Sequence, residues 1–496
     1  MRITNKMMTT NCMTNINKNK VSLDKLQEQY STGKKISRPS EDPVVAIRAL
    51  KLRSNYVELS QYLEKNIPSA KSWLDTTEGA LTNVDTLLTT VYEQFNQGAN
   101  DTLSVADRNS IIRSLQQYVT QIYDEGNTQY AGRYVFSGFK TDTSLTFAAD
   151  TTNLEYEITE KFSGADIMTS KYVVNGYSAN SYDPGTSVPA DYETAPTTSE
   201  VYRIRLAYSD IKVDANAKTV KYMVDGKEFT ADIKSTTEAD CYNVANGANA
   251  QFIPETGELV FSKEQYDAFS NASSISLTYE KNSFNKGELR PEHYFNTTVT
   301  DTSKNPTDTG YQVKYTVDDQ QIQYEINFGQ KLTVNTQGKD VLSHSLMREV
   351  QELAAIVDKM TALEADIAEV EKKLAEENIT DAQKETLTKL KEQLDTQHTL
   401  QSKIMTERFA KGMTTTKAMK DTISTATSDL GARYSRLELT ENRLETQQTE
   451  LEELISSNED ADIVETIIKY SSQQTIYNAA LSVASKAVKN SLLDYI

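Results

Sequence analysis

Three histidines, His293, His344 and His398, and two cysteines, Cys12 and Cys241, are the only imidazoles and thiols in this 496-residue chain. A neutral-pH base, a zinc ligand or a thiolate nucleophile would have to be drawn from them. No histidine stands four residues from another, so there is no HExxH zinc site. There is also no CxxC, no phosphate-cradling glycine loop and no GxSxG nucleophile elbow. The acidic, turn-rich stretch 301–310 lacks a glycine and a terminal acid where a calcium loop needs them. Carboxylates are everywhere, 71 Asp and Glu against 52 Lys and Arg, so no single pair stands out as a general acid and base. Trp73 and the many tyrosines recur at helical or strand spacing, as core residues do. The expectation is a non-enzyme with no cofactor and no metal.

The elements that would carry any site have unusual ends. Over residues 463–496 apolar side chains recur at Ile463, Ile467, Tyr470, Tyr477, Leu481, Ala484, Val488, Leu492 and Tyr495, with Gln474 in the one polar slot. The steps alternate four and three and slip only at Leu492, which is the spacing of a coiled-coil seam. Such a helix would be roughly 50 Å long. Burying its stripe would return roughly 15–25 kcal/mol, less than the cost of ordering its backbone at ~1–2 kcal/mol per residue. It needs a partner. Cys12, Ile16, Asn19, Leu23, Leu26, Tyr30 and Gly33 repeat the spacing at the opposite end, again with polar flanks. Two orphan amphipathic ends predict pairing with each other and then with neighbouring subunits.

Composition sets the outer bounds. The net charge of −19 argues against a nucleic-acid binder, although the first sixty residues carry eleven Lys/Arg against five Asp/Glu. No apolar stretch follows that basic start, so it is not a secretory signal. No run approaches the ~20 apolar residues of a membrane span, so no membrane insertion is expected. Two cysteines cannot make a disulfide framework. A chain of this kind is expected in the cytosol unless a dedicated export route exists.

Composition shifts divide the chain into three regions. Residues 1–136 read as helical: Asp42 caps a helix with Pro43 at its first position, opening a long run through Phe95 that Pro68 kinks or divides. Leu81, Val84, Leu88 and Val91 keep its rhythm, and a third helix begins near Ser104. Residues 137–338 hold eleven of the 18 glycines and six of the nine prolines. There Tyr202, Ile204, Leu206 and Tyr208 alternate as a strand, and Val220–Val224 and Phe229–Ala231 flank an Asp225-Gly226 hairpin turn. Val313–Val317 and Ile322–Phe328 are expected to form a second hairpin about Asp318-Asp319. Residues 339–496 contain no proline. A helical hairpin at about 350–410 has its tip at 376–379 and a capping box at Thr380. Leu430, Leu437, Leu444 and Leu451 then recur every seven residues.

The fold expected is mainly α with a β-rich insertion, an antiparallel β middle domain carried on a long coiled-coil bundle of the two terminal regions. Three domains follow. Residues 1–40 with 455–496 form a terminal coiled coil, and 41–136 with 339–454 a helical bundle. Residues 137–338 form a β-rich outer domain, of which about 285–338 packs on the bundle.

The stretch 31–43, Ser-Thr-Gly-Lys-Lys-Ile-Ser-Arg-Pro-Ser-Glu-Asp-Pro, resembles the turn between the first two helices of the flagellin superfamily. Gly33, Arg38, Pro39, Asp42 and Pro43 carry the likeness, in the proline-bearing form of the hook-associated branch. The opening residues 1–7 and the stretch 132–139, with Arg133, Phe136 and Gly138, are similar to the members that form the hook–filament junction. The stretch 429–437, with Gly431, and Asp460-Ala461-Asp462 resemble the flagellin-type C-terminal half. The resemblance covers about 1–140 and 420–496. It departs from shorter members in the β insertion and the hairpin near 350–410.

The resemblance implies a homo-oligomeric ring that joins hook-associated protein 1 to flagellin. The terminal helices would form an inner tube, the middle helices a second shell, and the β region an outward domain. It further implies export through the flagellum's own secretion apparatus, unfolded and with an export chaperone. An extracellular location without a cleaved signal peptide would then be explained. The assembly interface expected comprises Cys12, Ile16, Leu23, Leu26, Tyr30, Ile463, Ile467, Tyr470, Tyr477, Leu481, Ala484, Val488 and Leu492. The competing expectations are a flagellin filament subunit, a flagellin bearing a protease insert (against which the missing HExxH stands), and a surface adhesin using the β domain.

Overall fold

A computed structural model describes residues 5–238, 241–376 and 378–489. The chain is mainly helical, with long helices at both ends flanking a β-rich middle. The helices are α1 (Asn5–Thr32), α2 (Pro43–Gln61), α3 (Ile67–Gly98), α4 (Val105–Glu125), the short α5 (Lys263–Phe269) and α6 (Gly338–Val341), α7 (Ser345–Leu374), α8 (Asp381–Glu459) and α9 (Ile463–Lys489). Contacts divide the chain into two compact units: Met1–Ala70, Tyr324–Leu332 and Ser435–Ile496 in the first, Lys71–Gln323 and Thr333–Tyr434 in the second.

In the first unit Asp42 accepts hydrogen bonds from the Val44 and Val45 amides at 3.1 and 3.2 Å, with Pro43 at the first helical position. Pro68 does not break the chain. Residues Tyr62–Asn66 form a π-helical turn immediately before it, and the Ile67 amide bonds the Tyr62 carbonyl five residues back. One extra residue in that turn shifts the carbonyl that the proline ring would otherwise strike. Strands β13 (Gln323–Asn327) and β14 (Gln330–Thr333) form a two-stranded hairpin. Asn66 Nδ2 holds it through the Glu325 carbonyl at 2.8 Å.

In the second unit the four–three stripe of α3 is buried from Trp73 to Phe95, as are Ile112, Leu115, Val119 and Ile122 on α4, which packs on α7. A β-carbon added at Gly98 would lie 2.3 Å from the Phe409 ring, and one at Gly412 2.3 Å from the Phe95 ring. The two aromatics sit edge to face at 6.3 Å in the space these glycines leave. α7 and α8 form a hairpin, and at the start of α8 Thr380 and Gln383 form a reciprocal cap. Leu363, Val370, Leu387, Leu390 and Leu394 close its core with Tyr182 and Tyr192 from the 175–196 loop.

The remaining strands are β1 (Gln129–Tyr130), β2 (Arg133–Tyr134), β3 (Leu154–Phe162), β4 (Met168–Val174), β5 (Thr197–Arg205), β6 (Thr219–Val224), β7 (Lys227–Ile233), β8 (Ala250–Ile253), β9 (Glu258–Phe261), β10 (Ile275–Lys281), β11 (Asn296–Asp301) and β12 (Gln312–Tyr315). All but β1 and β2 join one ten-stranded sheet in the order β12-β11-β3-β10-β6-β7-β8-β9-β5-β4. Every pair is antiparallel except β7 with β8, whose connection is long enough to return the chain in the same direction. The Asp225-Gly226 turn has φ of 47° and 79°, the two left-handed residues that a two-residue hairpin requires.

The second hairpin expected about Asp318-Asp319 does not form. β12 pairs with β11, and β13 pairs with β14. Alternation marks each segment as a strand but carries no information about which strand lies beside it. The strand expected through Tyr208 ends at Arg205. Leu206 and Tyr208 stay buried beyond it, and the Leu206 amide bonds the Gly257 carbonyl at 2.9 Å.

Sheet and helices are tied by a buried ionic cluster. Arg203 bonds Glu258 at 2.5 Å and also Glu352 of α7. Arg205 bonds Glu352 and Glu349, both at 2.6 Å, and Arg408 of α8 reaches Glu352 at 3.1 Å. Burial pushes the Glu352 carboxyl up, but Arg203, Arg408 and Arg205 outweigh it and hold the group down to about 2. Glu352→Ala should leave Arg408 without its carboxylate and Arg203 and Arg205 with one each, and destabilise the protein by ~3–5 kcal/mol. Urea unfolding followed by the fluorescence of the one tryptophan, Trp73, measures this, and an unchanged midpoint would contradict it.

Candidate assembly surface

α1 and α9, from opposite ends of the chain, pack antiparallel within the first unit. On α1 the half-buried or buried positions are Thr9, Cys12, Ile16, Asn19, Leu23, Leu26 and Gln29, close to the expected stripe. Tyr30 departs from it at 52% exposure, and Gln29 takes the slot because its Nε2 caps the Lys35 carbonyl at 2.6 Å. On α9 the stripe facing α1 is Thr466, Tyr470, Gln473, Tyr477, Ala480 and Ala484. Tyr470, Tyr477 and Ala484 were expected there. Ile463, Ile467 and Leu481 instead lie on exposed flanks, at 52%, 42% and 41%. The side chains of Val488 and Leu492 lie outside the described residues.

The difference lies in how much of α9 is apolar. α9 is apolar on more than one face, so spacing alone could not choose among stripes one residue apart. Thr466, Ala480 and Ala484 are small enough to let the two backbones approach, and Gln473 meets Asn19 at 3.3 Å. The larger Val464, Ile468, Ile476 and Val483 are left turned outward with Ile463, Ile467 and Leu481. α1 adds Met7, Met8, Met13 and Val21, and α2 adds Val44, Ile47, Leu50 and Val57, each about half exposed or more. The signal for these was in the sequence as an excess of apolar positions over one seam.

The stretch 31–43 forms the corner that sets this pairing. Gly33 takes φ of +68° at the end of α1, where its amide bonds the Gln29 carbonyl at 2.9 Å. Its own carbonyl accepts from the Ala461 amide at 2.8 Å, and the Lys35 amide bonds the Glu459 carbonyl at 2.7 Å. Lys34 Nζ meets Asp460 at 2.6 Å and Glu459 at 3.5 Å, and Arg53 of α2 also bonds Glu459, which is buried. Asn458 Nδ2 adds a bond to the Val45 carbonyl at 3.1 Å. Arg38 and Pro39 are exposed on the corner's outside.

The other motif residues lie in the second unit. Ala131 and Gly132 form the tight β1–β2 turn at φ of 49° and 76°, and Arg133 lies over the Trp73 ring at 5.6 Å. Phe136 is buried, with its carbonyl accepting from the Gly338 amide at 2.8 Å. Gly138, at φ of +64°, lets Gln320 Oε1 accept the Phe139 amide at 2.7 Å. Gly431 leaves its β-carbon position open.

The residue types that could do chemistry are not brought together. Burial holds His293 down to about 4, and its Nε2 meets the Ser144 carbonyl at 3.2 Å. Burial likewise lowers His344 to about 3, against the Tyr208 hydroxyl at 2.9 Å. His398 lies on α8, 3.6 Å from Glu364, and neither Cys12 nor Cys241 forms a disulfide among the described residues. Among the described residues no group of three His, Cys, Asp or Glu could hold a metal ion, and no helix is long and apolar enough to cross a membrane.

The helical ends match known families. Residues 3–141 match the bacterial flagellin N-terminal helical region, and residues 413–496 match the bacterial flagellin C-terminal helical region. The two matches cover the helical ends of the chain and leave residues 142–412 between them unmatched. The chain is 37% identical over 144 residues to flagellar hook-associated protein 3 of Salmonella typhimurium, an alignment that covers 29% of this chain and 45% of the relative. It is 26% identical over 226 residues to the phase 2 flagellin of Salmonella abortus-equi, covering 45% of each. The chain thus spans about half the length of the curated relatives it matches. A solved hook-associated protein 3 from Legionella pneumophila aligns over 82% of this chain and 98% of its own, at 13% identity and a TM-score of 0.30.

The corner should weaken in acid. Hydrogen bonds from Lys34 and Ser456 hold the Asp460 carboxyl below the usual range, and the bond to Asp460 raises Lys34. A depressed carboxyl adds stability above its unfolded value of ~3.9 and loses it as pH falls through the folded value. The raised lysine adds stability below its unfolded value of ~10.4 and loses it only as pH rises through the folded one. Protection of the Lys35 and Ala461 amides against hydrogen exchange, corrected for intrinsic rates, should therefore be high at pH 7 and drop toward pH 3. In Asp460→Asn it should be low at both. Undiminished protection in the variant at pH 7 would show that the ion pair does not hold the corner.

Proposed function

We propose that this protein is a structural subunit of the bacterial flagellum at the hook–filament junction. Copies of the chain form a ring that joins hook-associated protein 1 on one side to the first layer of flagellin on the other. The observation that carries this reading is the outward apolar surface of α1, α2 and α9. A monomer does not leave so many Ile, Val, Leu and Met side chains exposed along three helices without a partner. The flagellin-type regions at both ends, and the higher identity to hook-associated protein 3 than to flagellin, support the junction over the filament.

In this reading residues 1–40 with 455–496 build an inner tube, the bundle 41–136 with 339–454 a surrounding shell, and the β-rich region an outward domain. The seven exposed α9 side chains, each about half uncovered, would return roughly 1 kcal/mol apiece on burial, enough for a ring in which every subunit repeats the contact. The protein travels out through the flagellar secretion apparatus with an export chaperone and performs no catalysis. Immunogold labelling of intact flagella, with copy number per flagellum, tests the reading. A single ring's worth at the hook's distal end is expected; labelling along the filament in thousands of copies would make it a flagellin.

Leu481 separates assembly from folding. It faces away from α1, so Leu481→Asp should leave the monomer's circular dichroism and thermal midpoint unchanged, within about 0.5 kcal/mol. In the ring the same carboxylate would be buried unpaired at a cost of several kcal/mol per subunit. Cells making the variant should secrete it into the medium and lose filaments. Wild-type motility would show that this face of α9 is not an assembly contact.

A further inference from the structure

Within the second unit a cleft of about 790 Å³ lies between the β4–β5 side of the sheet and the α7–α8 hairpin. Its size falls in the range of small-molecule sites. Nothing in the assembly reading uses it.

Its charges are already matched. Inside, Arg203 and Arg205 are consumed by Glu258 and Glu352, while Arg348 donates to the carbonyls of Leu206 and Thr256. Towards solvent Lys171 pairs with Glu407 at 2.8 Å, and Lys359 faces a lining that also carries Asp210, Glu255 and Asp366. Five Lys and Arg stand against five Asp and Glu across the lining, so a phosphate or a polyamine entering the cleft would meet no net countercharge. Its own charge would then lose hydration without return. A neutral ligand with many hydroxyls meets the opposite situation, because guanidinium donors and carboxylate acceptors stand side by side.

Three features fit such a ligand. Arg203 is 4% exposed and fixed by Glu258 and Glu352, so donors and acceptors are held rigidly in the lining. Gln351, Gln397 and Gln401 line the helical wall with amides that both donate and accept. The rings of Tyr172 and Tyr242 lie 5.6 Å apart, and Tyr242 is fixed by its hydroxyl on Glu258 at 2.9 Å. The two rings are tilted 48° to each other, and each offers an apolar face for the C–H side of a pyranose. We propose that this cleft binds a neutral oligosaccharide, giving the β region a recognition role separate from ring assembly.

The test uses the full-length monomer and isothermal titration with cellotriose, maltotriose and chitotriose. A galacturonic acid trimer and a chitosan trimer serve as the anionic and cationic probes. At least one neutral trisaccharide should bind saturably, with a Kd on the order of 1 mM or tighter. Ala355→Trp, at an exposed position on the α7 wall, should fill the cleft and weaken that binding at least tenfold with circular dichroism unchanged. Should this variant misfold, Gln401→Leu is expected to give the same tenfold loss by removing a polar contact. Three results would overturn the proposal. They are no saturation by any neutral probe, tighter binding of a charged trimer than of its neutral counterparts, and undiminished binding by a folded Ala355→Trp or Gln401→Leu. All arms read the monomer, so failure here leaves the junction reading standing, and the reverse also holds.

Discussion

Two helices can cover each other along one stripe only, and α9 carries more apolar surface than a stripe holds. α1 takes the inner line of Thr466, Tyr470, Gln473, Tyr477, Ala480 and Ala484, and the larger aliphatic side chains are left facing out. The inner line combines small Thr466, Ala480 and Ala484 with the polar-tipped Tyr470, Gln473 and Tyr477, and the wholly aliphatic side chains are left outside. The pair is therefore well matched inside and unfinished outside. That combination suits a protein whose final packing is completed by other copies of itself.

The corner at Gly33 turns this pair from possible to specific. A coiled coil of moderate length could slide by a turn, since its repeat is nearly uniform. Two backbone bonds from Gly33 and Lys35 to Ala461 and Glu459 fix the register at one end. Buried Glu459, shared between Lys34 and Arg53, penalises any shift, because moving it would strand a carboxylate without its cations. The likeness of this stretch to the flagellin turn thus has a structural cause in the chain itself.

The second unit solves the opposite problem. Its cores are closed, and its polar interior is satisfied largely by itself. Glu352 stands at the middle, reached by arginines from β5 and α8, so the sheet is oriented against the helices by ion pairs as well as by apolar packing. The sheet edge at β4 is guarded by Arg408 bonding Ser170 and by Lys171 pairing Glu407. At the other edge β12 is only four residues long, with polar Gln312 and Lys314 outward. Both devices discourage strand addition by another molecule. Exposed apolar surface is concentrated on the terminal helices, where assembly would use it.

Much of this was determined by local sequence. Asp42-Pro43, Ser104 and Thr380 start helices because their side chains or rings satisfy the first turn wherever they occur. Asp225-Gly226 makes its hairpin because two left-handed residues leave no other short turn. Four–three spacing marked Leu81 to Phe95 and Leu430 to Leu444 as buried, since a helix has only one way to line such residues up. Tertiary structure decided the rest. It paired β12 with β11 and β13 with β14, placed Gln29 where Tyr30 was expected, and chose which stripe of α9 meets α1. It also gathered Arg203, Arg205, Arg348, Glu258 and Glu352, scattered over 150 residues, around one cleft. Sequence period fixes which face of an element is apolar, but which neighbour covers that face depends on side-chain size and long-range partners that no local pattern encodes.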